Sequence, residues 1–138
     1  MRDNVDILGV FHDGSIVEVR GELPSISFRI EIEYLRNMFP SEGDSFIAHV
    51  KGCESITFLN WENEQRTSSF KEIESEEPEI LSIEQNGEIA HIICSTGELD
   101  ILYNELSFEL DTGLSVSFQD LSDASNKYWD DWESRKNS

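Results

Sequence analysis

Residues 79–118 read EILSIEQNGEIAHIICSTGELDILYNELSFELDTGLSVSF, and this stretch decides the fold class. Short apolar runs alternate with turn residues, a pattern typical of antiparallel strands joined by tight loops. Asn86-Gly87 is a strong hairpin signal, and Thr96-Gly97 and Asn104-Glu105 are further two-residue loop candidates. A three-residue loop at Asp111–Gly113 places glycine where such a loop needs a left-handed backbone. The stretch therefore predicts a five-stranded antiparallel meander.

The loops also predict the register of the meander, because residues that flank a loop face each other. Apolar residues then face apolar residues at every inward position. The predicted partners are Leu81 with Ile92, Ile83 with Ala90, Cys94 with Leu99, Ile92 with Ile101, Ala90 with Tyr103, Tyr103 with Leu106, Ile101 with Phe108, Leu99 with Leu110, Leu110 with Leu114, Phe108 with Val116 and Leu106 with Phe118. A slip of one residue would turn a strand over, so this agreement favours one continuous apolar face.

The opposite face of the predicted meander places Asp100 across from Glu109 and Glu98 across from Asp111. Directly opposed like charges destabilise a sheet. Two interpretations are open: a solvent-exposed face whose charges prevent aggregation, or a contact surface for a basic partner. The four carboxylates are also weak candidates for a divalent-cation site, since calcium binds several oxygen ligands, but their spacing matches no known calcium loop.

Charge limits the classes of partner. The 138 residues include 29 acidic and 10 basic side chains, for a formal net charge of −19. Residues 1–70 contain 12 acids and 6 bases and residues 71–138 contain 17 and 4, so the two parts have charges of −6 and −13. This balance argues against binding to nucleic acid or to anionic membranes. It favours a basic protein partner, with general solubility as the alternative explanation.

Length and composition predict a single all-β domain over residues 1–138. The chain has 14 Ile and 6 Val against 3 Ala, and β-branched residues favour strands. No apolar run is long enough to span a bilayer, and the N-terminus lacks the plan of a signal peptide.

Cys53 and Cys94 lack a metal-binding spacing, and Cys94 lies on the predicted core face as a buried thiol. We expect a cytoplasmic, reducing location and no cofactor.

Further strands are predicted before the meander, in residues 1–61. The elements are a hairpin of Val5–His12 and Ser15–Gly21 around Asp13-Gly14, a long alternating strand over Ser25–Leu35, and a hairpin of Asp44–Lys51 and Glu54–Trp61 through Gly52-Cys53. Residues 62–78 predict an acidic loop with one edge strand at most. Together the two parts predict an antiparallel β-sandwich or partly open barrel of about nine or ten strands.

The tail, residues 119–138, predicts a short C-terminal helix. Leu121, Ala124 and Tyr128 recur at a rough helical spacing. Ser122 is the candidate N-cap. Trp129 and Trp132 lie among acidic residues. Either the aromatic side of the helix packs on the sandwich, or these two residues are anchors for a partner.

No catalytic constellation emerges from the sequence, so an enzyme is the least supported class. His12-Asp13-Gly14 lies at a predicted hairpin tip, where turn chemistry explains Asp-Gly. A Gly-x-Ser-x-Gly motif and a Gly-rich phosphate loop are both absent. Trp61 ends a predicted strand and precedes a polar loop. Trp61 and His12 are the candidate lining of a pocket if the chain binds a small molecule, whereas the rim of the core is the plainer interpretation of Trp61.

The opening VFHDGSI at Val10–Ile16, followed by a long alternating strand, resembles the start of several small, acidic, mostly-β bacterial proteins. Some of these are assigned as immunity proteins that neutralise a toxin, and others have no known role. The resemblance implies a cytosolic single-domain binder without a cofactor, and it identifies no contact residue.

We therefore expect a non-enzymatic interaction module, of which an immunity-type inhibitor of a basic toxin is one form. A small-molecule or carbohydrate-binding β-module and a cation-binding domain are the alternatives. The predicted partner-binding residues are Glu98, Asp100, Glu109, Asp111, Trp129 and Trp132.

Overall fold

Ten strands form two antiparallel sheets among the residues that the computed structural model describes. The structure describes residues 10–136, with the side chains of all of these except Gln85 and Lys136. Sheet A contains β1 (Ser15–Glu22), β2 (Ser25–Glu31), β3 (Ser45–Lys51), β9 (Glu105–Leu110) and β10 (Ser115–Val116), in the order β1-β2-β3-β9-β10. Sheet B contains β4 (Ser55–Asn60), β5 (Arg66–Thr67), β6 (Ile80–Asn86), β7 (Ile89–Cys94) and β8 (Gly97–Leu102), in the order β5-β4-β8-β7-β6. The helices are α1 (Glu33–Arg36), α2 (Phe70–Glu76) and α3 (Phe118–Lys136).

The predicted all-β sandwich is confirmed, and the two sheets do not close into a barrel. Apolar residues at alternate positions of both sheets form one buried cluster between them. Phe11 is fully buried in this cluster, and its ring centroid lies 5.5 Å from that of Phe46 and 5.6 Å from that of Phe108. Cys53 and Cys94 are buried free thiols, and burial raises the pKa of Cys94 to about 12.

The predicted three-residue loop between β9 and β10 is confirmed. Phe108 faces Val116, and the backbone N–H of Leu110 donates to the carbonyl of Leu114 over 2.8 Å. Gly113 has a φ of +96°, the left-handed conformation that the loop requires.

The other two hairpins of residues 79–102 exist, but the predicted register is wrong by two residues in each. Ile83 faces Ile92 rather than Ala90, and Ile92 faces Leu99 rather than Ile101. The loops are Gly87-Glu88 and Ser95-Thr96. A shift of two residues keeps every side chain on its predicted face, so apolar matching cannot distinguish the two registers.

Tertiary contacts fix the Ser95-Thr96 loop. The Ser95 N–H donates to the carbonyl of Glu79 over 2.9 Å, and the Trp61 N–H donates to the carbonyl of Thr96 over 3.1 Å. Gly97 then belongs to β8, where it faces Asn60 of the neighbouring strand. An irregularity in β6 also reverses the prediction for Leu81, which is 38% exposed while Ile80 is buried.

The connection from β8 to β9 is the main correction. The predicted hairpin at Asn104-Glu105 does not form, because β8 pairs with β4 and β7 in sheet B while β9 pairs with β3 and β10 in sheet A. The five-stranded meander is therefore a three-stranded meander followed by a hairpin in the other sheet. Both arrangements bury Leu99, Ile101, Phe108 and Leu110, which is why the hydrophobic pattern of β8 and β9 did not reveal the crossing.

The predicted hairpin through Gly52-Cys53 is wrong for the same reason, since β3 lies in sheet A and β4 in sheet B. The two crossings are neighbours. The Asn104 N–H donates to the carbonyl of Lys51 over 3.0 Å, and the Glu54 N–H donates to the carbonyl of Leu102 over 2.8 Å. These bonds satisfy backbone groups where the chain leaves each sheet.

The predicted strand over Ser25–Leu35 is confirmed as far as Glu31 and is wrong beyond it, where α1 begins. Residues 10–13 form a turn rather than the end of a strand, and the rest of the predicted strand Val5–His12 lies outside the described residues. The edge strand expected within residues 62–78 is β5.

Helix α2 was not predicted, and α3 is longer than the short helix expected. Both begin with a serine cap that the sequence displays. The Ser69 hydroxyl accepts from the Glu72 N–H over 3.4 Å. Ser117, rather than the predicted Ser122, caps α3: its hydroxyl accepts from the Asp120 N–H over 3.1 Å, and its own N–H donates to the Asp120 carboxylate over 3.0 Å.

Candidate functional site

The predicted opposition of carboxylates is not formed. Asp100 on β8 faces His91 of β7 and Thr57 of β4, whereas Glu109 on β9 faces Ile47 and Ser115. Because β8 and β9 belong to different sheets, Glu98 and Asp100 lie on the outer face of sheet B, and Glu109 lies on that of sheet A. The four carboxylates do not form one cluster.

Asp111 has a structural role, because its carboxylate links three segments of the chain. Its Oδ1 accepts from the Arg36 Nε over 3.0 Å, and its Oδ2 accepts from the backbone N–H groups of Asp44 and Ser45 over 3.0 and 3.2 Å. Burial alone raises the pKa of this carboxyl, but the hydrogen bonds and the charge of Arg36 outweigh burial and hold the pKa below its usual value. With these acceptor positions occupied, Asp111 has little capacity left for a partner.

Glu98 and Asp100 are held by His91, a residue to which the sequence assigned no role. The Nε2 of His91 lies 3.0 Å from Oε1 of Glu98, and its Nδ1 contacts Oδ1 of Asp100. Glu84 of β6 faces His91 from the other side. Alternation along the strands puts His91, Glu84 and both carboxylates on one face, so this signal is present in the sequence.

Trp61 borders the same group. Its indole Nε1 donates to Oε2 of Glu98 over 2.7 Å, while 45% of the residue is exposed. We call this surface the His91 face; it consists of Trp61, Glu84, His91, Glu98 and Asp100. Glu98 contacts both Trp61 and His91, His91 also contacts Asp100, and the ring of Trp61 is partly exposed to solvent.

The carboxylates favour the charged form of the imidazole. The hydrogen bond to Asp100 is the largest effect and raises the pKa of His91, burial opposes it, and the negative charges of Asp100, Glu98 and Glu84 raise it further. When His91 is protonated, each ring nitrogen donates to a carboxylate.

In this geometry His91 is placed to form ion pairs when it is protonated, rather than to act as a general base. Both ring nitrogens face carboxylates, so neither is directed at a hydroxyl or thiol that it could deprotonate. Among the described residues, no group of three or more His, Cys, Asp or Glu side chains could hold a metal ion. The weak metal candidates Glu98, Asp100, Glu109 and Asp111 are separated between the two sheets.

The two sheets differ in how their acids are compensated. In sheet A and beside it, acids lie near bases: Glu18 near Arg29, Asp44 near Arg29, Asp111 near Arg36 and Glu109 near His49. In sheet B, strands β4, β6, β7 and β8 contain no Lys or Arg, and Arg66 of the edge strand β5 faces Leu59, the residue of β4 whose other partner is Glu98. The three carboxylates of the His91 face therefore have a single imidazole as their basic neighbour on these strands.

The predicted anchors Trp129 and Trp132 lie on α3, away from these strands. Trp129 contacts Tyr34 of α1 with ring centroids 5.6 Å apart, and Trp132 lies 5.9 Å from Trp129. The two are 40% and 42% exposed. The helix thus packs an aromatic side on α1, where one interpretation had expected it to pack on the sandwich, and leaves part of both indoles exposed. Their binding role stays a prediction.

His12 and Trp61, the predicted pocket residues, do not line the largest described cavity. His12 lies in the exposed turn before β1, where its carbonyl accepts from the Tyr34 hydroxyl over 3.0 Å. Burial, together with the negative charge of Asp13, raises the pKa of Tyr34 to about 12, so this hydroxyl remains a donor. No pocket joins His12 to the His91 face among the cavities described.

The stability that His91 contributes should depend on pH. A histidine whose pKa is raised by folding stabilises the native state fully below its unfolded pKa of about 6.5, and this contribution disappears as pH rises through the folded value. We expect His91→Gln to cost roughly 1 kcal/mol at about pH 5.5 and less at about pH 9. Urea unfolding at both pH values measures the difference, with His12→Gln as a control. An equal cost at both pH values would contradict the ion-pair geometry.

No helix in the described range, residues 10–136, is long and apolar enough to cross a membrane. Comparison with protein-family models gives no match. Comparison with curated proteins gives no significant similarity.

Proposed function

We propose that the chain is a non-enzymatic interaction module that binds a basic protein through the His91 face. The observation that supports this most directly is the lack of Lys and Arg on β4, β6, β7 and β8 in a chain of net charge −19. Three carboxylates share one imidazole there, and Arg66 lies on the edge strand β5, beyond β4, so an approaching cation meets few positive charges on the four strands themselves. Complementary fields of this kind accelerate encounter and disfavour wrong partners.

The surroundings of the His91 face suit a protein interface. Partly buried apolar side chains lie beside it on the same outer surface: Leu59, Ile93 and Leu102. Ile89 is 40% exposed at the end of β7. Interfaces combine such apolar area with polar groups, and Trp is enriched among the residues that dominate binding energy. Trp61 is fixed by its bond to Glu98, so little side-chain freedom is lost when a partner covers it.

An immunity-type role is one form of this proposal. A toxin that acts on nucleic acid uses Lys and Arg to contact the phosphates, and an acidic inhibitor would bind such a basic surface with a fast, salt-dependent association. The resemblance of the opening residues to small acidic bacterial proteins, some of them immunity proteins, supports this form. The contacts proposed here differ from the predicted set, because Asp111 is engaged with Arg36 and Glu109 lies on the other sheet.

The test compares two isosteric variants with the same change in charge. The first, E84Q/E98Q/D100N, neutralises the His91 face, and the second, E31Q/E105Q/E109Q, neutralises three outward positions of sheet A. Proteins retained from host lysate by the immobilised chain supply a purified partner for stopped-flow kinetics. At low salt we expect the first variant to associate about 10-fold more slowly or worse, with a flatter salt dependence. The second should change the rate by less than about 3-fold.

Equal slowing in both variants would show that total charge, and not the His91 face, governs association. An unchanged rate in the first variant would place the contact elsewhere. Circular dichroism and urea unfolding of both variants confirm that the comparison is made between folded proteins.

A further inference from the structure

A cavity of about 540 Å³ opens at the side of the sandwich, away from the His91 face. It is formed by the turn between β1 and β2, the start of β4 and the segment that leads into α2. The residues that matter for its chemistry are Glu22, Leu23, Glu54, Ile56, Ser68 and Phe70. Its volume lies within the range of small-molecule sites in proteins, about 300–1,000 Å³.

The interior of this cavity is apolar. Ile56 is 2% exposed and forms its floor, Phe70 is partly buried, and Leu23 is 48% exposed at the mouth. The Ser68 hydroxyl donates to the carbonyl of Ile56 over 2.7 Å, which satisfies a backbone acceptor in the wall. An apolar group can therefore enter without leaving that acceptor unpaired.

The mouth of the cavity is negatively charged. Glu22 and Glu54 are both exposed, and neither forms a salt bridge with another described residue. No Lys or Arg lines the cavity. Elsewhere on sheet A acids commonly lie near a base, as Glu18 does near Arg29. Two uncompensated carboxylates beside an apolar cavity select the charge of whatever enters.

We propose that this cavity binds a small organic amine, with its aliphatic or aromatic body against Ile56 and Phe70 and its ammonium group beside Glu22 and Glu54. The cation stays near the mouth, where it keeps part of its hydration, so burial of the body does not require burial of the charge. A carboxylate of the same shape is repelled, and a neutral alcohol lacks the attraction. This site is independent of the proposed protein contact, and either one can fail alone.

The experiment titrates the full chain with three probes of one shape: phenylbutylamine, phenylbutanol and phenylbutyrate. Amide chemical shifts in a two-dimensional NMR spectrum report both affinity and location. We expect the amine to shift the amides of Leu23, Ile56 and Ser68, and to bind about 10-fold more tightly than the alcohol, a difference of about 1.4 kcal/mol. The carboxylate should not bind. Equal affinity for amine and alcohol, shifts confined to other residues, or no shift with any probe would overturn the proposal.

Paired variants test the two carboxylates. In E22Q/E54Q the amine should fall to the affinity of the alcohol, while the alcohol is unchanged. The control E62Q/E64Q has the same change in charge on an exposed turn and should keep the preference for the amine. If the control loses the preference equally, the attraction is a property of the whole acidic chain and the site is wrong. A capped Phe-Lys dipeptide that binds more tightly than phenylbutylamine would assign the same chemistry to a protein segment, and would overturn the assignment to a free amine.

Discussion

We expect Arg36→Met to lower the free energy of unfolding by about 3–5 kcal/mol, because it leaves the carboxylate of Asp111 almost buried without its cation. Arg36 is fully buried and Asp111 is 10% exposed. The guanidinium Nη2 also donates to the carbonyl of Glu42 over 3.1 Å. One side chain thus joins α1, the loop before β3 and the end of β9. Urea unfolding at neutral pH measures the loss.

The control for Arg36→Met is Arg20→Met. Arg20 also contacts two carboxylates, Glu18 at 2.9 Å and Glu74 at 3.5 Å, but its side chain is 64% exposed. Exposed pairs contribute about 0–1 kcal/mol. If both variants lose the same stability, burial does not determine the strength of the Arg36 pair, and the role assigned to Asp111 is wrong.

Gly97→Ala should be the second most damaging substitution, with a loss of about 3 kcal/mol. A Cβ at this position would approach the carbonyl oxygen of Leu59 more closely than real Cβ atoms do, and it would lie 2.8 Å from Cζ of Phe58. The neighbouring backbone of β4 cannot move away without breaking its pairing with β8. Thermal and urea unfolding give the measurement.

Gly87→Ala is the control for Gly97→Ala. Nothing lies within 4 Å of a Cβ at Gly87, so its cost is that of a φ of +65°, about 1 kcal/mol. The comparison also separates the two registers. With Thr96-Gly97 as the loop, alanine at position 97 would be on an open turn, and a loss smaller than that of Gly87→Ala would favour the predicted register over the observed one.

The faces of the strands could be predicted from the sequence because alternation is a local property. Ile26, Phe28 and Ile30 point inward as their spacing required, and Gly113 takes the left-handed conformation that its loop needed. Cys94 is likewise buried, as its place on the predicted core face required. In each case residues close in sequence contain the whole constraint.

Strand neighbours could not be predicted in the same way. Ile92 buries equally well beside Leu99 or Ile101, and β9 buries equally well in either sheet, so apolar matching gives no preference. Contacts between residues distant in sequence determine which strands become neighbours. Two examples are the close approach of the Leu59 carbonyl to Gly97 and the backbone hydrogen bond from Asn104 to Lys51. The candidate site also depends on which strands are neighbours. Alternation placed His91 beside acids, but only the correct neighbours bring Glu98 and Asp100 to its two nitrogens.

The crossing of the chain between sheets has a consequence for biosynthesis. β3 is central in sheet A, but its second neighbour, β9, begins at Glu105. At roughly 5–20 residues per second, a ribosome needs on the order of several seconds to extend the chain from Lys51 to Leu110. Throughout that interval one edge of β3, with its apolar side chains, has no partner in the nascent chain. A polypeptide truncated between Lys51 and Glu105 keeps this open edge, which is a template for pairing with another chain.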